Sequence, residues 1–253
     1  MSFNEYDLVE NSDTGVTVFF KDGIGEQLSS RIVKLAKMLT AKLSEGKHKT
    51  AFDVIPAYQS LTLYLHPFAQ NFSSKLLKEA ITLLPSLIAE ISDSSASDNV
   101  SIYKTIEIPV CYEEEFAPDL SVLAGYCQLS EAEVIEKHTA ATYLVHMLGF
   151  LPGFLYLGGL DRALFCPRKH HPNIRVPRGA VAIGGEQTGI YPVESPGGWH
   201  VIGQTPVDIF SPHSKTAFIA QPLDRIQFSA INKTQFLELK QHYSNTSGGN
   251  HEY

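Results

Sequence analysis

The first hundred residues switch between two hydrophobic periods. Residues 16–20 (VTVFF) put Val16, Val18 and Phe20 on one face, the period of a strand. Gly23 and Gly25 break that run. Leu28, Ile32, Leu35, Leu39 and Leu43 then recur at helical spacing, with Gly46 as a candidate stop. Residues 50–56 (TAFDVIP) and 60–66 (SLTLYLH) read as two strands, the second alternating Leu61, Leu63 and Leu65 with Thr62, Tyr64 and His66. A second helix is predicted from about Ser73, carrying Leu76, Ala80, Leu83, Leu87 and Ile91, with Pro85 inside it to kink or split it. A polar break, SDSSASDN (92–99), precedes 101–108 (SIYKTIEI), where Ile102, Ile106 and Ile108 share a side. The order β-α-β-β-α-β predicts a split βαβ arrangement, an antiparallel sheet with two helices on one face. The first domain is placed at 1–98, with strand 101–108 either closing it or leading onward.

From Pro109 the pattern changes. VCYEEEFAPDL is acidic and turn-like, and 118–127 suggests a short helix. Ser130 and Glu133 have capping-box spacing at the head of SEAEVIEKHTA. Short apolar segments follow: YLVHMLGF, GAVAIG, GIYPV, WHVIG, KTAFIA and DRIQFS. Their spacing, with turn residues between them, predicts a β-barrel or sandwich over 99–242. A last helix is expected at about 233–242, and the tail 243–253 is expected to be disordered. The fold class is therefore α+β.

Composition narrows the function. At 253 residues, 43% hydrophobic and 19% charged, the chain reads as globular. No apolar run approaches the length of a membrane span and no signal peptide is visible, so a cytoplasmic protein is expected. Three cysteines (Cys111, Cys127, Cys166) without CxxC spacing favour free thiols over disulfides or zinc. A net charge of −7 argues against a nucleic-acid partner. One stretch stands apart: residues 149–205 hold eleven of the 18 glycines, six of the 14 prolines and the single tryptophan, Trp199. Glycine permits close approach and proline fixes the backbone, so this stretch reads as short strands joined by shaped turns.

Within it, no catalytic set is complete. Ser195 lies in ESPGGW rather than G-x-S-x-G, and reads as a turn serine. Cys166 sits beside Arg168 and Lys169, which would lower a thiol pKa, although a buried structural cysteine is the stronger reading. The histidine spacings fit no metal motif, so no metal is expected. GGEQTG (184–189) lacks the lysine and the following helix of a phosphate loop and reads as a hairpin turn. Arg168, Lys169, Arg175 and Arg178 form a basic cluster that suits a carboxylate or phosphate. The neutral groups Gln187, Thr188, Tyr191, Trp199 and His200 suit recognition of an amide or lactam.

GFLPGFLYLGGL (149–160), PRKHHPNIRVPRGAVAIGGEQTGIYP (167–192) and SPGGWHVIGQTP (195–206) resemble the signature of the 5-oxoprolinase B-subunit family. That family also takes in the allophanate hydrolase subunit 1 (carboxyltransferase) domain and the sporulation-kinase inhibitor KipI. IEIPVCYEEEFAPDL and LSEAEVIEKHTAATYLVHMLGF fit as well, so the resemblance runs from about residue 10 to 230. It departs from the family at Leu155, Asn173 and Arg178. The resemblance implies a small ferredoxin-like α/β domain followed by a cyclophilin-like barrel. It implies an ATP-dependent 5-oxoprolinase that opens 5-oxo-L-proline to L-glutamate with partner C and A subunits, ATP and Mg being held by the complex. Under it, Tyr156, Gln187, Thr188, Tyr191 and Trp199 would contact the lactam, Arg168 and Arg175 would meet an anionic group, and His138 would assist proton transfer. A carboxyltransferase component of a biotin-dependent urea carboxylase and a KipI-like kinase inhibitor are the alternatives.

Overall fold

Alternation and helical spacing settle the first half of the molecule. In the computed structural model, which describes residues 5–44, 51–68, 74–93, 103–212, 214 and 216–247, the chain divides into two units, Met1–Ile102 and Tyr103–Tyr253. In the first, β2 (Gly15–Phe20) buries Val16, Val18 and Phe20, and β4 (Ser60–Leu65) buries Leu61, Leu63 and Leu65. Against that face pack α1 (Glu26–Ser44), through Leu28, Ile32, Leu35, Leu39 and Leu43, and α3 (Leu84–Asp93), through Leu84, Leu87 and Ile91. Pro85 splits the predicted second helix into α2 (Ser74–Thr82) and α3. Proline is tolerated in a first helical turn, where its missing N–H has no partner to lose. Gly46, residues 94–102 and residues 248–253, including most of the polar break and the end of the tail, lie outside the described residues.

The sheet order is β1-β2-β4-β3, all antiparallel, with β3 at Phe52–Pro56. Its edge strand β1 (Tyr6–Ser12) is not predicted from the sequence. Six of its seven residues are exposed, so it carries no buried face to produce an alternation. This strand, folded back as a hairpin on β2, fills the edge that 101–108 was a candidate to close. The later segment leads onward instead, as β5 (Thr105–Cys111) of the second unit.

That unit is a closed barrel of seven strands. Around it run β10 (Gln187–Ile190), β7 (Leu155–Gly158), β6 (Thr142–Leu148), β13 (Arg225–Ile231), β5, β12 (His200–Gln204) and β9 (Ala180–Gly184), which pairs back to β10. Only β13 and β5 pair in parallel among these. Alternate residues point inward: Ile108, Val110, Tyr143, Val145, Leu155, Leu157, Val181, Ile183, Ile202 and Phe228 fill the core. A separate ribbon pairs β8 (Asn173–Val176) with β11 (Ser195–Gly197). α4 (Leu120–Cys127) and α5 (Glu131–Ala140) add Leu120, Leu123 and Val134 to the core. The predicted capping box is formed: the Glu133 N–H donates to Ser130 Oγ and the Ser130 N–H donates to the Glu133 carboxylate. α6 (Lys233–Ser247) runs five residues past the predicted end of the last helix, into the segment expected to be disordered. The described residues of KTAFIA form no barrel strand; Phe218 makes an isolated bridge with Phe210, and the two rings stack.

A polar chain runs through the barrel core. Thr188 Oγ donates to the Ala182 carbonyl at 3.1 Å, so it accepts from His138 Nε2 at 3.0 Å. His138 Nδ1 therefore accepts from the Tyr112 hydroxyl at 2.8 Å. The Tyr143 hydroxyl donates to the His138 carbonyl, and the imidazole stacks on Phe228. Burial holds His138 neutral, with its pKa pushed down to about 3. Unfolded, the ring would titrate near 6.5. Between those values the unfolded chain binds the extra proton, so the stability is complete above pH 6.5 and is lost as pH falls through that window, at about 1.4 kcal/mol per unit. Urea unfolding at about pH 7.5 and about pH 4.5 checks this: His138→Gln, lacking the titrating ring, is expected to lose roughly 3 kcal/mol less on acidification than the parent chain. An equal loss in both would contradict the buried, neutral imidazole.

Candidate functional site

The outward face of β7, β9, β10 and β12 is floored by glycine. A Cβ added to Gly184 would come within 2.5 Å of the Trp199 indole, and one on Gly189 within 3.0 Å of the Phe154 ring. Gly158 and Gly197 lie just as close under His146 and Tyr191. The rings occupy the volume that side chains would fill. The result is an aromatic wall: Phe154 stands 4.7 Å from Tyr156, 5.0 Å from Tyr191 and 5.5 Å from Trp199, and Tyr156 stands 6.0 Å from Trp199. The last three contacts are edge-to-face, a favoured geometry for aromatic pairs. GGEQTG forms the β9–β10 hairpin, its two-residue connection placing Gly185 at φ +68, where a side chain would be strained.

Arg168 completes the wall. Its exposed guanidinium lies 5.6 Å from the centre of the Trp199 ring, a cation–π contact. It also opposes the upward push that burial exerts on the Tyr156 and Tyr191 hydroxyls, which remain neutral donors at neutral pH. Gln187, half-buried, pairs with Gly184 and shares its outward face, beside the indole. Five of the sequence-predicted residues are thus brought onto one surface: Tyr156, Arg168, Gln187, Tyr191 and Trp199. Of these, Tyr191 and Trp199 are almost wholly covered, at 2% and 4% exposed; Tyr191 hydrogen-bonds the Trp199 backbone, and Tyr156, Gln187 and Arg168 make up the accessible part of the wall.

Three predicted residues stand elsewhere. His138 and Thr188 point into the barrel core and are bonded to each other, so neither presents a polar atom to the wall. A one-residue step along β10 separates Gln187 outside from Thr188 inside. Arg175 forms a two-pronged pair with Glu194 at 2.9 and 3.0 Å, and its fork is occupied. Lys169 pairs with Asp119 and Arg178 with Asp208. Among the described residues, Arg168 alone of the predicted basic cluster has no carboxylate partner.

The remaining candidates resolve simply. Cys166 is buried, and burial raises its thiol to about 11, opposite to the effect of the nearby cations read from the sequence. Ser195 Oγ and His200 Nδ1 are buried without a hydrogen-bond partner among the described residues. No group of three or more His, Cys, Asp or Glu side chains suited to a metal occurs among the described residues, and no described helix is long and apolar enough to cross a membrane. The sequence reading missed His146 as a wall residue. A bulge in β6 between Val145 and Met147 places it on Gly158, and a bulge leaves no signal in an apolar run.

Comparison with known proteins agrees with this architecture. A family model described as "Carboxyltransferase domain, subdomain C and D" matches residues 7–220. The 5-oxoprolinase B subunit of Bacillus subtilis (strain 168) is 33% identical over 243 residues, covering 93% of this chain and 97% of that protein. A crystal structure of TTHA0988 superposes with a TM-score of 0.68 at 34% identity, covering 86% of this chain; the chain spans only 40% of that longer one. The Kluyveromyces lactis urea amidolyase shares the fold at a TM-score of 0.71 and 18% identity, over 96% of this chain and 16% of the other. A match across most of the sequence and a relative similar along nearly its whole length lead to one conclusion: the chain belongs to the 5-oxoprolinase B-subunit family, built on the carboxyltransferase domain of subdomains C and D.

Proposed function

We propose that this chain is the B subunit of an ATP-dependent 5-oxoprolinase, acting with C and A subunits, and that its aromatic wall holds the lactam acid. The observation that carries the reading is the unpaired guanidinium of Arg168 laid over Trp199, with Gln187 on the same face. A five-membered lactam bearing a carboxylate presents a flat apolar ring, an amide edge and one negative charge. Tyr156 and Trp199 match the ring, the Gln187 amide matches the amide edge, and Arg168 matches the charge. The names of the relatives support the assignment to the B subunit.

A lactam carbonyl is a weak electrophile, and ring opening needs its oxygen activated. In this reading ATP with Mg supplies that activation within the complex. The glycine run that would be the first place to look for a phosphate cradle is a hairpin, with no helix start behind it. The part played by this chain is to bind and orient the ring and to keep water from one of its faces, which lowers the entropic part of the barrier. His138 is too enclosed to meet a substrate directly; its role in the reading is to fix Thr188 and the β9–β10 hairpin from inside.

Mixing the chain with its C and A subunits and ATP is expected to release glutamate from 5-oxoproline, and correctly assembled subunits that release none would overturn the proposal. Arg168→Met, which keeps an apolar stem on Trp199, is expected to raise KM for 5-oxoproline about 10- to 100-fold, the worth of a hydrogen bond to a charged group. Arg175→Met, whose fork Glu194 already fills, is expected to change KM less than about threefold, in line with an exposed ion pair. Equal KM effects in the two variants would remove Arg168 from the binding role.

A further inference from the structure

Arg168 is exposed, yet the residues on either side of it are tied down. Cys166 exchanges two backbone hydrogen bonds with Gly185, at 3.1 and 2.7 Å. The Pro167 carbonyl accepts from His200 Nε2 at 3.0 Å. A carbonyl only accepts, so Nε2 carries the proton, and this is the ring's one hydrogen bond among the described residues. The Lys169 N–H donates to the Gly198 carbonyl at 2.8 Å. The Lys169 amine turns inward, 2.5 Å from Asp119 Oδ1 and 3.3 Å from Asn173 Oδ1. Both anchors, Gly198 and His200, flank the same Trp199 on which the guanidinium lies.

The Asp119–Lys169 pair is largely withdrawn from water. The two side chains are only 12% and 17% exposed, and removing charges from water offsets much of their attraction. Asp119 also stands at the start of α4, where an aspartate ordinarily accepts from its own helix's first N–H groups. Here it makes no such bond. Oδ2 accepts from the Val201 N–H at 2.8 Å and Oδ1 from Lys169. One carboxylate therefore ties strand β12, two residues beyond Trp199, to the loop residue next to Arg168.

We infer that Lys169, held by Asp119, and His200, held on Pro167, are positioning residues that clamp the 166–169 loop and fix the Arg168 guanidinium over Trp199 as a preorganised anion site. The inference deepens the lactam-acid reading and rests on it: the ligand class is a carboxylate, and the clamp removes the loop-ordering cost of binding it.

Trp199 is the only tryptophan, so acrylamide quenching of the full chain's fluorescence reports on its cover without any ligand. Arg168→Ala sets the uncovered reference. Lys169→Met is expected to raise the quenching constant to that reference while the thermal unfolding transition stays cooperative. Lys169→Arg, which retains the pair with Asp119, is expected to keep the parent value, as is Arg178→Met in the same segment. Should Lys169→Met fail to fold, Asp119→Asn, which still accepts from the Val201 N–H, carries the test with the same expected rise. Parent-like quenching in a folded Lys169→Met or Asp119→Asn chain overturns the clamp. In the assembled enzyme, Lys169→Met is expected to raise KM for 5-oxoproline as Arg168→Met does, with little change in kcat. Raised quenching with an unchanged KM would uphold the clamp and overturn the carboxylate reading, so the two failures are told apart.

Discussion

Close approach between aromatic rings and a side-chain-free strand surface is the constraint on which the second unit depends. A barrel strand normally covers its outer face with its own side chains. Here Gly158, Gly184 and Gly189 leave that face bare, with His146, Trp199 and Phe154 lying directly on it, and Gly197 of the ribbon meets Tyr191 in the same way. A single methyl at Gly184 would drive into the indole, an overpacking that costs about 1–3 kcal/mol in a well-packed region. The glycine content of residues 149–205 is thus a packing requirement more than a need for flexibility. The wall is rigid because its rings are wedged between strand and ribbon, and a rigid apolar surface with one cation above it is suited to a small flat anion.

The interior of the same barrel is filled, and its polar groups are turned on one another. Tyr112, His138, Thr188 and the Ala182 carbonyl satisfy one another in sequence, donor to acceptor. A polar chain buried this deeply presents no group to a substrate outside the barrel, and it holds the β9–β10 hairpin in register from within. The hairpin in turn carries Gly184 and Gln187 to the outer face and anchors Cys166, from which the loop bearing Arg168 departs. Inside and outside are two sides of the same four strands.

Much of the fold was legible because period follows burial. Leu61, Leu63 and Leu65 announce a half-buried strand, Leu28 to Leu43 an amphipathic helix, and Ser130 with Glu133 a helix start. β1 was hidden because its side chains face solvent, and the edge position of 101–108 was undecidable because sheet order is a non-local outcome. The family signature picked out the residues of the aromatic wall, but it could not say which face each residue takes. Gln187 and Thr188 are adjacent and chemically alike, yet one lies on the wall and the other in the core. Of four neighbouring cations, Arg175, Lys169 and Arg178 are neutralised by carboxylates 19 to 50 residues away in sequence, which no local pattern records. Arg168 was distinguished only by its lack of such a partner.

The proposed carboxylate-selective lactam surface at Trp199 is made of this chain's own residues. The most direct measurement is a titration of the isolated chain with 5-oxoproline and with 2-pyrrolidinone, the same ring without its carboxylate, following Trp199 fluorescence. A saturable change with 5-oxoproline that 2-pyrrolidinone reproduces only at far higher concentration is the predicted result. Identical curves for the two lactams, or no response to either, would contradict it.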